Sequence, residues 1–240
     1  MGNIPNLVTL GNLLSGCLSI SAASQGLYSF AIVWIFLGLF LDFMDGFLAR
    51  TFRVESPMGK ELDSFSDLIS FGLAPSYLIF QLTINEYGIN SGFLGFLPYF
   101  SWVITLFTAV RLGRYNLGGD ENKIGFWGLP SPANAVFICS IPLAKLYNPE
   151  IYRQFMDRPY LFFLFIVLSA ALLISPIPLF HLKFSNLSWK ENQSRILFLL
   201  ALVLGIPALY FLIGIYIIVP FIIFTYFLFS ILYSPLKNNS

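Results

Sequence analysis

With 240 residues, 57% of them hydrophobic and only 10% charged, the chain lies far below the roughly 25% charge of soluble domains, which excludes a water-soluble globular protein. A net charge of +1 gives no electrostatic footing for nucleic acid, and a mean hydropathy of +0.78 belongs to an integral membrane protein. The 27 Phe and 12 Tyr suit lipid-facing and interfacial positions.

A bilayer-spanning helix needs about 20 apolar residues. In chain order, eight stretches approach that length: 5–24, 27–50, 59–82, 94–114, 131–147, 159–181, 195–211 and 213–233. The expected fold is therefore all-α, a polytopic membrane protein of about eight transmembrane helices, with 1–240 forming a single membrane-embedded domain. The first stretch follows a start without a basic region and is long enough to stay as a helix, so no cleaved signal peptide is expected. Ser24-Gln25-Gly26 predicts a tight turn between the first two spans. Ser56-Pro57 predicts an N-cap followed by Pro at the first helical position of the third. The last two spans divide around Gly214. Cys17 and Cys139 sit in separate apolar stretches, with no metal spacing and no expected disulfide. His181, the single histidine, falls at a span end and reads as interfacial.

Orientation follows from the basic residues. With eight spans and the N-terminus inside, only Lys145, Arg153 and Arg158 of the 13 lysines and arginines fall outside. This bias predicts a cell membrane protein with both termini in the cytoplasm. The loop at 118–123, with Lys123, reads as solvated on that side.

Asp42, Asp45, Asp63 and Asp67 interrupt two otherwise apolar spans at helical spacing. An ionised Asp near the centre of a span costs roughly 2.5–3.5 kcal/mol on insertion scales, and no matching run of lysines lies nearby. Asp42, Asp45, Gly46 and Ala49 share one helix face, and Gly59, Asp63 and Asp67 form a stripe on the next helix. The short connection predicts antiparallel neighbours whose acidic stripes face each other. Converging carboxylates suit hard divalent cations, Mg²⁺, Mn²⁺ or Ca²⁺, bound singly or as a pair that shares ligands. Gly46, Ala49 and Gly59 on the same faces leave room for a ligand, or equally let helices pack closely. A cation carrier would use the same acids, but it predicts them near mid-bilayer on broken helices, whereas these gather toward one end.

Asp42-x2-Asp45-Gly46-x2-Ala49-Arg50-x8-Gly59-x3-Asp63-x3-Asp67 resembles the signature of the CDP-alcohol phosphotransferase family at all eight positions. The resemblance implies a helical, homodimeric membrane enzyme that moves a substituted phosphoryl group from a CDP-linked donor to an alcohol and releases CMP. It further implies metal ligation by Asp42, Asp45 and Asp63, with Asp67 as ligand and catalytic base. Gly46, Ala49 and Gly59 would line the cytidine pocket, with Arg50 nearby.

Further stretches are similar to the bacterial and archaeal phosphatidylserine-forming branch of that family. They are Ile4-Pro5-Asn6 through Thr9 to Asn12, Asp67 through Ser70-Phe71-Gly72 to Pro75, Arg111 through Arg114 to Asn116, and Gly128 through Pro132. That similarity covers roughly 3–140 and implies CDP-diacylglycerol as donor and L-serine as acceptor, with Asn6 and Thr9 on the donor side. Arg111 and Arg114, at i, i+3 near the cytoplasmic end of a helix, can grip a carboxylate or phosphate with planar forks. Glycerol 3-phosphate or inositol phosphate as acceptor would call for a denser basic pocket. One departure from the branch is Ser131, where an aliphatic residue is more usual, and it is expected to leave the chemistry alone.

Overall fold

The computed structural model describes residues 3–54, 56–88, 92–117, 128–175, 197, 200–207 and 218–232. Among these, the regular structure is helical and no strand occurs. Helix α1 is Asn3–Ser24, α2 Tyr28–Phe52 and α3 the continuous Pro57–Tyr87. A 3-10 stretch, Gly92–Ser101, leads into α4, Trp102–Leu117. Then come α5, Ser131–Tyr147, α6, Pro149–Met156, α7, Pro159–Ile174, and α8, Ile218–Leu232. Four described helical segments are long and apolar enough to cross a membrane: α1, α2, α3 and Leu94–Leu117. The pair α6–α7, bent by 92°, makes a fifth if it counts as one span. The helix expected at 131–147 is present as α5, at 17 residues just short of that length. The expected spans at 195–211 and 213–233 are described only in part, and Lys123 and His181 lie outside the described residues.

Local chemistry sets the helix ends around the acidic segment. Gly26, at φ 73°, takes the left-handed turn between α1 and α2. Helix α2 stops in a Schellman-type end: Val54 N–H donates to the Ala49 carbonyl at 3.1 Å and Arg53 N–H to the Arg50 carbonyl at 3.3 Å. The left-handed position there is Arg53 (φ 54°), a strained choice where Gly is usual, right beside the acidic helices. As expected, Ser56 caps α3, its hydroxyl accepting from Gly59 N–H at 3.0 Å, with Pro57 in the first turn.

The sequence pattern does not anticipate a change of winding within α3. Directly after Asp67, residues Leu68–Leu73 form a π-helical segment, and Ala74 N–H donates to the Ile69 carbonyl five residues back. Pro75 follows immediately. Its ring would clash with the carbonyl four residues earlier in an α-helix, so the wider turn relieves that contact.

Helix α1 is the principal packing partner of α2 and also lies against both halves of α3. Small residues allow the approach: a Cβ on Gly16 would fall 2.8 Å from Ser70 Cα, and one on Gly38 would fall 2.7 Å from Ser15 Oγ. Buried hydroxyls then bond across helices, from Ser66 to the Thr9 carbonyl at 3.0 Å, from Ser70 to the Asn12 carbonyl at 2.8 Å and from Ser19 to the Ala31 carbonyl at 2.9 Å. Ile35, Phe71, Leu78, Ile104, Ile138 and Phe162 fill the apolar core. At the end of α3 remote from Asp67, Lys145 pairs with Glu86 at 2.7 Å and Tyr152 donates to the same carboxylate at 2.9 Å. This staple holds α5 and α6 onto α3.

Candidate active site

Carboxylate oxygens of Asp42, Asp63 and Asp67 all lie within 4.8 Å of one another. Asp42 comes from the middle of α2, Asp63 and Asp67 from successive turns of α3. Acidic side chains thus bring α2 and α3 together, while α1 takes most of the backbone packing against each. A cavity of about 630 Å³ lies where α1, α2 and α3 meet, within the usual range for small-molecule sites. Its walls are Pro5, Asn6 and Thr9 from α1, Asp45, Gly46 and Ala49 from α2, and Gly59, Lys60 and Asp63 from α3. Val54, Ser56, Pro57 and Tyr115 complete it.

Asp63 belongs to both features, so the acidic trio stands at the edge of the cavity. Asp45 is not one of the three, yet it is buried, with a relative exposure of 5%. Its Oδ2 and the Oδ1 of Asp67 are buried with no hydrogen-bond partner among the described residues. Carboxylates this close repel, and orphaned buried oxygens are costly. An all-oxygen donor set with open lone pairs fits a divalent cation.

Small residues shape the cavity wall. A Cβ on Gly59 would sit 3.0 Å from Asn6 Oδ1 and 3.1 Å from Ser56 Oγ, so Asn6 already occupies the space that a side chain would need. A Cβ on Gly46 would come within 3.6 Å of the Arg50 guanidinium, which folds back along α2 over that glycine. Thr9 is buried beside Asp45, its hydroxyl donating to the Pro5 carbonyl at 3.1 Å. Asn12 does not line the cavity; it is fully buried where α1 meets Gly38 of α2.

Arg111 of α4 lies near enough to Asp67 for its positive charge to act on that carboxylate. Its Nη1 donates to Ser131 Oγ at 2.9 Å, and its Nε is buried without a hydrogen-bond partner among the described residues. Asn116 ties the same helix to α3 by donating to Ser64 Oγ at 2.9 Å. Arg114 is exposed, so the two arginines have different surroundings. Sequence reasoning gave no site role to Lys60, Tyr115 or Ser131. The first could have been found, because Lys60 adjoins Gly59 and lies one turn before Asp63; the others needed the packing of α4 and α5.

Known proteins are similar to this chain in sequence. A family model for CDP-alcohol phosphatidyltransferase matches residues 2–224. A CDP-diacylglycerol–serine O-phosphatidyltransferase of Helicobacter pylori is 31% identical over 240 residues, covering 98% of this chain and 96% of that protein. One of Bacillus subtilis is 36% identical over 150 residues, covering 62% of this chain and 79% of that protein. An archaetidylserine synthase of Methanothermobacter thermautotrophicus is 38% identical over 149 residues, 60% of either chain. With a matching model that spans nearly its whole length, the chain belongs to the CDP-alcohol phosphatidyltransferase family.

Proposed function

We propose that this protein transfers the phosphatidyl group of CDP-diacylglycerol to the hydroxyl of L-serine, yielding phosphatidylserine and CMP in phospholipid biosynthesis. The observation that carries the reading is a cavity walled by small residues with the acidic trio at its edge and the positive charge of Arg111 near Asp67. The cavity offers space for the donor, and Arg111 a charge for the acceptor. The names of the relatives from Helicobacter and Bacillus support serine as that acceptor.

Asp42, Asp45, Asp63 and Asp67 would hold Mg²⁺ or Mn²⁺, as one ion or two, with Ca²⁺ also suited to an all-oxygen site. Such an ion supplies Lewis-acid polarisation of the diphosphate and countercharge for departing CMP. Gly46, Ala49 and Gly59 leave space for the cytidine, with Asn6 and Thr9 offering polar atoms and Arg50 a positive charge near the phosphates. Asp67 accepts the proton of the serine hydroxyl. The serine oxygen then bonds to the β-phosphorus as the bond from that phosphorus to the CMP oxygen breaks, and the electron pair leaves with CMP. Arg111, with Arg114 at the rim, holds the acceptor's carboxylate and offsets charge on the phosphoryl oxygens. The excess of basic residues on one side supports an active site facing the cytoplasm from the cell membrane. The whole chain acts as one catalytic domain built around residues 42–67, working as a homodimer.

The direct test offers purified protein CDP-diacylglycerol and Mn²⁺ or Mg²⁺, with serine, glycerol 3-phosphate and inositol phosphate in separate reactions. Serine-dependent CMP release is expected. Release with glycerol 3-phosphate and none with serine would overturn the acceptor while leaving the phosphotransferase chemistry standing.

A further inference from the structure

Ser131 is wholly buried at the first turn of α5. Its Oγ accepts a 2.9 Å hydrogen bond from Arg111 Nη1. One observation separates this bond from ordinary packing. Arg111 lies near Asp67, and its Nε is buried with no acceptor among the described residues. A buried, charged donor left unmatched is costly unless a ligand supplies the acceptor.

We propose that Ser131 is a positioning residue for Arg111: by holding Nη1, it turns the Nε–Nη2 edge of the guanidinium toward an anionic group of the acceptor beside Asp67. That edge presents two parallel N–H bonds, the fork that matches a carboxylate or a phosphate. An aliphatic side chain at 131 excludes water equally well but accepts no hydrogen bond, leaving the guanidinium free to rotate toward Asp67. The inference rests on the acceptor-side reading of Arg111 given above.

The test compares Ser131→Ala, Ser131→Thr, Arg111→Lys and the Ser131→Ala/Arg111→Lys double variant, all purified and checked for wild-type thermal unfolding. Ser131→Cys replaces the alanine variant if that one does not fold. Ser131→Ala should raise the KM for serine ~10-fold, the scale of one hydrogen bond to a charged group, with the KM for CDP-diacylglycerol within twofold of wild type. Ser131→Thr, which keeps the hydroxyl, should restore most of the loss. In the Arg111→Lys background the alanine substitution should cost less than twofold, because no guanidinium remains to be oriented. Unchanged KM values in Ser131→Ala, equal losses in the Thr and Ala variants, or additive effects in the double variant would each overturn the proposal. If Arg111→Lys raises the donor KM and spares that of serine, the acceptor reading of Arg111 falls. The positioning role then survives only if Ser131→Ala raises the same donor KM.

Discussion

Replacing Asp42 with Asn should have opposite effects with and without metal. Asp42 has two carboxylate neighbours, Asp63 and Asp67, no more than 4.8 Å away. At an effective dielectric constant near 20, each such pair repels by about 3.5 kcal/mol. Screening by solvent ions at these partly exposed side chains reduces the net relief to about 1–2 kcal/mol. For a chain of this length that corresponds to a Tm higher by roughly 2–8 °C in protein stripped with EDTA. With Mn²⁺ at one hundred times its Kd, the wild type should gain about 2.7 kcal/mol, whereas the variant has lost a ligand and should gain far less. Tryptophan fluorescence of detergent-purified protein, heated with and without Mn²⁺, measures both effects. A variant that melts below wild type in EDTA, or that gains as much from Mn²⁺, would refute the reasoning that the trio is a cation site held at an electrostatic cost.

Asp67→Asn should abolish transfer to serine while CDP-diacylglycerol still binds, since the proposed base is lost and the cavity walls are intact; equilibrium donor binding beside turnover checks this, and retained turnover across pH 6–9 would contradict it. Gly59→Ala pushes a methyl group to 3.0 Å from Asn6 Oδ1 and should raise the donor KM about tenfold with a smaller effect on serine, read from initial rates with each substrate varied. Cysteine at Arg53, exposed at the end of α2, should react with an impermeant maleimide only from the cytoplasmic side, and cysteine at the exposed Asp157 only from outside; the reverse pattern would invert the topology.

Much of this protein is legible in its sequence because the constraints that shape it are local. Lipid admits only elements that satisfy their own backbone, so apolar length alone marks α1 to α3 as helices. Capping is equally local, and Ser56-Pro57 starts α3 where their chemistry requires. Helical period by itself puts Asp63 and Asp67 on one stripe, four residues apart. Tertiary structure decided what period cannot encode. Which helices touch depends on small residues far apart in sequence: Gly16 meets Ser70 and Gly38 meets Ser15, which puts α1 against both acidic helices. With α1 packed there, the cavity has walls from α1, α2 and α3, and Asp42, Asp63 and Asp67 come together as the close trio. The π-helical segment after Asp67 depends on matching a proline to its neighbours along the ladder, a condition that a hydrophobic pattern does not carry. The partnership of Arg111 with Ser131 joins residues 20 positions apart across two helices. A hydrogen bond at that separation depends on where the helices pack, and packing belongs to the folded chain.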